Sequence, residues 1–151
     1  MEGGNLTVEK SLTIGNRGLS AMGTNSFTTG SNNIASGTCS QAGGLRTTAS
    51  GDNSHAEGGD TQAIGICAHA EGEETIASGE ASHAENYYTT ASGNNSHAEG
   101  LYTTAQRRSQ HTEGEYNILD TTGSISSSGT YIHIVGNGTD TNARSNAHTL
   151  D

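Results

Sequence analysis

The sequence predicts an all-β solenoid, a stack of 14-residue β-coils. Three observations predict it. Glycine recurs on a seven-residue grid, alanine stands two residues before nearly every grid point, and alternate halves of the pattern differ in a regular way. Composition makes such regularity necessary. Only 29% of residues are hydrophobic, Trp and Pro are absent, Phe27 is the single Phe, and 22 residues are Gly. A chain this polar cannot offset the entropy of ordering with an ordinary core. A repeat can, by satisfying its backbone in ladders and packing small side chains in register.

The grid glycines are Gly23, Gly30, Gly37, Gly44, Gly51, Gly58, Gly65, Gly72, Gly79, Gly93, Gly100 and Gly114, with Asn86 and Arg107 as its two breaks. The alanine column runs from Ala21 to Ala105 and yields only to Thr28 and Thr112. One half of the unit reads Thr89-Thr90-Ala91-Ser92-Gly93 and the other Ser96-His97-Ala98-Glu99-Gly100. Within the second half, His55, His69, His83, His97 and His111 step by 14, and so do Glu57, Glu71, Glu85, Glu99 and Glu113.

A coiled coil is excluded, because heptads need two bulky positions and few glycines. Alternation over five residues followed by a turn is the signature of a strand. Along Ser96-His97-Ala98-Glu99-Gly100, Ser, Ala and Gly point one way, and His and Glu the other. Two such strands and two corners close one coil, and coils stack at about 4.8 Å. Residues 23–114 therefore make six to seven coils rising roughly 30 Å.

The Ser/Thr, Ala and Gly face must be the interior, since nothing larger than Ala fits between two strands of so short a coil. At about 25 cal/mol per Å² of apolar surface, this interior buries too little to fold alone. Self-association into a parallel oligomer supplies the missing surface.

The repeat resembles the head repeats of trimeric autotransporter adhesins, in which Ser-Val-Ala-Ile-Gly units alternate with Ala-Ser-Gly halves. Ser54-His55-Ala56-Glu57-Gly58 and Ser96-His97-Ala98-Glu99-Gly100 occupy those places. The resemblance covers residues 19–114 and implies a left-handed parallel β-roll, a homotrimer and a role in adhesion. His and Glu stand where that family has Val and Ile, the residues facing its trimer axis. The His-Ala-Glu-Gly version, with Tyr131 to Thr139 and Ala143 to Ala147, also resembles tail-fibre and virion proteins of phages of Gram-positive bacteria.

The chain divides into an N-terminal strand, cap or docking segment (1–18), the roll (19–114) and a β-rich C-terminal cap or base of a further module (115–151). Leu6 to Ile14 alternates as one or two strands on either side of Lys10-Ser11, and Tyr131 to Val135 is the best apolar strand, after a turn at Ser124–Gly129. Caps are expected because an open coil end exposes unpaired strand edges.

The His and Glu columns are expected to form a structural ladder, His of one chain bonding Glu of its neighbour, as buried charges require. Their invariance favours the trimer axis, whereas residue preferences put Glu in solvent and the opposite face carries Met22, Ile34, Ile64 and Ile76. Rings of His55, His69, His83, His97 and His111 are the candidate metal sites, but no metal or other cofactor is expected. No catalytic trio stands out and identical residues repeated five times are scaffold-like, so no enzyme is expected. Pairing with Glu would raise the histidine pKa values, and burial without a charge partner would lower them.

The column Thr47, Thr61, Thr75, Thr89 and Thr103 invites comparison with ice-binding arrays, a remote alternative. Those need Thr at i and i+2 facing out, and here Ala stands at i+2. Grid glycines read as coil corners supplying positive φ, which Asn86 tolerates. Arg107, with Arg108 and Gln110, reads as a strained last coil. Cys39 and Cys67 share one corner two coils apart, about 9.6 Å, too far for a disulfide.

A formal charge of −10 with six basic residues argues against nucleic acid. No apolar run approaches the roughly 20 residues of a membrane span, and Met1-Glu2-Gly3-Gly4 opens no signal peptide. The expectation is a structural fibre or spike of a phage or phage-like particle, made in the host cytoplasm and attaching to a bacterial surface. Its partners are its own copies, other virion or fibre proteins, and a surface glycan or protein. The alternative is the head of a trimeric adhesin on the bacterial cell surface.

Overall fold

The computed structural model describes residues 12–17, 22–120 and 131–150. They form strands β1 (Leu12–Arg17), β2 (Phe27–Ala35), β3 (Gln41–Leu45), β4 (Thr48–Ala49), β5 (His55–Gly59), β6 (Gln62–Ala63), β7 (His69–Glu73) and β8 (Ile76–Ala77). Beyond these lie β9 (His83–Ala84), β10 (Thr90–Ala91), β11 (His97–Ala98), β12 (Thr104–Ala105), β13 (His111–Glu115), β14 (His133–Asn137) and β15 (Asn146–Leu150).

The described strands form two parallel ladders. One stacks β1, the start of β2, β3, β5, β7, β9, β11, β13 and β14. The other stacks the end of β2, β4, β6, β8, β10 and β12. Registers confirm the 14-residue coil: Gln41, His55, His69, His83, His97 and His111 pair in succession. The chain is an all-β solenoid.

The core is the alanine column. Ala35, Ala42, Ala49, Ala56, Ala63, Ala70, Ala77, Ala84, Ala91, Ala98 and Ala105 are all fully buried. Beside them Ser26, Ser40, Ser54, Ser82 and Ser96 turn inward, each hydroxyl donating to the carbonyl of the glycine three residues before, at 2.6–2.7 Å. A buried hydroxyl with such a partner avoids the penalty of an unsatisfied polar group. The Thr column is equally buried. At its ends Asn33 and Asn117 take the place of Thr, and their side-chain oxygens accept from Thr47 N and Thr104 N.

The corners differ from the expectation of positive φ at every grid glycine. Gly30, Gly44, Gly58, Gly72, Gly100 and Gly114 adopt it, and Asn86 follows them at φ 77°. Gly23, Gly37, Gly51, Gly65, Gly79 and Gly93 do not; a Cβ there would overlap a carbonyl oxygen of the next coil. Left-handed backbone is instead carried two residues further on at every corner, by residues such as Cys39, Asn53, Asp60 and Tyr88. Arg107 is likewise not strained. It occupies the half-coil where glycine serves space rather than φ, and among the described residues β12 ends that ladder. Its Nε lies 3.9 Å from Asp120, and Gln110 accepts from Gln106 N and Arg107 N while donating to Tyr131 O.

Regular spacing stops at Gly114, but the ladder does not. β14 pairs in parallel with β13, placing His133 on His111 and Gly136 on Gly114, and β15 folds back antiparallel on β14. Ile134 fills the position of the alanines and is the largest fully buried side chain among the described residues. At the other end β1 pairs in parallel with β2. Leu6 to Ser11 and Ser124 to Gly129 lie outside the described residues.

Replacing Gly65 with Ala should therefore cost about 3 kcal/mol, because its Cβ would meet the backbone of Gly79. Gly59→Ala, whose Cβ meets only Glu73 Cγ at 3.9 Å, should stay within about 0.5 kcal/mol. Thermal unfolding followed by circular dichroism separates the two.

Candidate functional site

Alternation along β5, β7, β9 and β11 sends Ala inward and His and the following Glu outward on one face, and β13 and β14 continue it with Thr112 and Ile134 inward. The 14-residue register then stacks like on like. Imidazole centroids of His55, His69, His83, His97, His111 and His133 follow one another at 4.7–5.1 Å. The first five rings are parallel within 6°. His133 therefore extends the column read from the sequence by one member. Its signal, His-x-x-Gly again in step with His111 and Gly114, was masked by the longer spacing.

Pairing occurs within one chain, between coils. Each Glu reaches forward to the histidine of the following coil: Glu71 to His83 at 3.3 Å, Glu85 to His97 at 2.9 Å, Glu99 to His111 at 3.0 Å and Glu113 to His133 at 3.1 Å. The first rungs break the pattern. Glu57 lies 3.7 Å from His55 of its own coil, and His69 Nε2 is buried with no hydrogen-bond partner. One ligand atom from each of His69, Glu71 and His83 lies within 4.8 Å of the others, and the same holds for His83, Glu85 and His97.

A second feature was not found from the sequence. One corner column carries Arg46, Asp60, Glu74, Tyr88, Tyr102 and Tyr116, again in 14-residue steps. Arg46 pairs in bidentate fashion with Asp60, and Tyr88 donates its hydroxyl to Glu74 at 2.6 Å. That bond to a carboxylate, more than burial, pushes the Tyr88 pKa up. Tyr88, Tyr102 and Tyr116 stack at 4.5 and 5.0 Å, with Tyr87 edge-on. The column varies in residue type, so only its spacing could have revealed it. Thr47, Thr61, Thr75, Thr89 and Thr103 are fully buried and offer no outward array to ice. Cys39 and Cys67 are free and exposed.

Burial lowers the His55 pKa below 6.5, charge repulsion from His69 adds to this, and the carboxylates of Glu57 and Glu71 oppose it. The unfolded chain therefore binds the proton first as pH falls. Stability from this residue is complete above 6.5 and is lost as pH drops through the lowered folded value. An NMR titration should place the His55 midpoint below 6.5, and His55→Gln should flatten the acid side of the stability profile. A midpoint above 6.5 would contradict this environment.

With this geometry in place, comparison with known proteins is informative about the repeat. No curated protein and no solved structure matches the chain. Residues 42–66, 70–96 and 84–105 match the family described as YadA head domain repeat. These segments lie in the coils from β3 to β12, and over them the chain is similar to head repeats of that family.

Proposed function

We propose that the chain is the head of a homotrimeric attachment fibre that presents a rigid roll to a target surface. The observation that carries this reading is the interior. Between β3 and β12 the coils enclose only Ala, Ser and Thr side chains, so burial between chains must add what one chain lacks. Apolar side chains remain for that purpose, with Ile64 and Ile66 about half exposed, at 45% and 52%. The match to YadA head repeats supports adhesion as the task.

Two carriers fit. The His-Ala-Glu-Gly halves and the segment from Tyr131 to Ala147 favour a phage or phage-like fibre binding a bacterial envelope. The head-repeat match favours a bacterial surface adhesin with a host-surface ligand. Either way the chain is a scaffold and binder, and its partners are its own copies plus a surface glycan or protein.

Light scattering should give the mass of three chains, and the β signal should vanish on dissociation. A stable folded monomer would end the trimer reading. The labelled trimer should bind either Gram-positive cells, as a phage fibre would, or animal-cell and matrix surfaces, as an adhesin would. Binding to neither class would end the attachment reading.

A further inference from the structure

The imidazole ladder has one incomplete rung. Of its four cross-coil His–Glu hydrogen bonds, Glu71 to His83 is the longest, at 3.3 Å against 2.9–3.1 Å for the others. The ring beneath it, His69, has a buried Nε2 with no hydrogen-bond partner. A buried imidazole nitrogen without a partner is unfavourable unless something else engages it. Both irregularities fall on the same three side chains whose donor atoms lie within 4.8 Å of one another.

We propose that His69, Glu71 and His83 bind one divalent transition-metal ion between consecutive coils. Two imidazoles and a carboxylate are the donor set of Zn²⁺, Ni²⁺ and Cu²⁺, and three protein ligands leave a further position for water. The ladder preorganises them. His69 and His83 are held 4.7 Å apart and parallel within 6° by strands that cannot slip register. Metal–ligand distances of about 2.0–2.2 Å require the side chains to draw together, which rotation about their own bonds supplies without moving the strands.

The neighbouring group His83, Glu85 and His97 shares His83, so the two groups compete for one ion. The lower group is preferred, because Glu85 is already committed to His97 at 2.9 Å while His69 Nε2 has no hydrogen-bond partner. The site lies within a single chain and does not rest on the trimer or on adhesion.

The test is calorimetric titration of the untagged full-length chain with zinc chloride, repeated with nickel, alongside the absorption spectrum of the cobalt(II) form. One ion per chain is expected, with a cobalt spectrum of low-coordinate nitrogen and oxygen ligation. His69→Gln and Glu71→Gln should each weaken binding at least tenfold with the circular dichroism spectrum unchanged, whereas His111→Gln should leave it unaltered. Absence of binding to the parent chain would overturn the site. So would equal weakening by His111→Gln and His69→Gln, which would indicate loose binding along the whole ladder. If Glu71→Gln perturbs the fold, His69→Gln decides alone.

Discussion

A coil of 14 residues leaves about one methyl group of space between its two strands, and neighbouring coils lie a strand spacing apart, about 4.8 Å. These two separations govern the rest of the structure. Alanine fills the inward position of the strands from Ala35 to Ala105, threonine replaces it at Thr28 and Thr112, and Ile134 stands where the last parallel strand meets the antiparallel β15. Glycine holds one corner because a Cβ would enter the backbone of the next coil, and the other because the chain turns there at positive φ. Serine hydroxyls are tolerated inside because each donates a hydrogen bond to a glycine carbonyl at the corner, and Thr89 and Thr103 donate to the carbonyls of Glu85 and Glu99. Little of this is apolar burial, so cohesion rests on the parallel ladders and on whatever the outer faces meet.

The same register that aligns alanine forces like groups together outside. Six imidazoles sit one above another because the strands beneath them cannot do otherwise. His83, His97, His111 and His133 each pair with a glutamate of the coil before. At the lower end, burial and the charge of His69 outweigh the carboxylates of Glu57 and Glu71 and favour the neutral ring of His55. On a corner, the register stacks tyrosine on tyrosine and sets arginine against aspartate.

Much of this was legible in the residues. The Ala and Gly columns gave the coil length, the direction of Ala and His along each strand and the buried Thr column. Other parts were hidden for identifiable reasons. The left-handed corner residues include Asn, Cys, Arg, Asp, Glu, Ala and Tyr, so no residue type signals them. His133 and Gly136 lie 22 residues beyond His111 and Gly114, which breaks the spacing while preserving the ladder. The His–Glu bonds join residues 12 apart, a separation that has meaning only once coils are stacked. Arg107 looked like strain because the reason for its column's glycine, room for the next coil, is a three-dimensional one.

The central claim is that the 14-residue coil is the structural unit, with register fixed by its alanine-sized interior. It is tested most directly by the thermal melting of two insertion variants. One duplicates residues 69–82 after Ser82 and adds a whole coil; the other carries the same insert shortened by one residue. The whole-coil variant should keep the β spectrum and melt at or above the parent's temperature. The shortened one should lose both, because a one-residue slip turns the inward face of every later strand outward. Equal melting of the two variants would contradict the account.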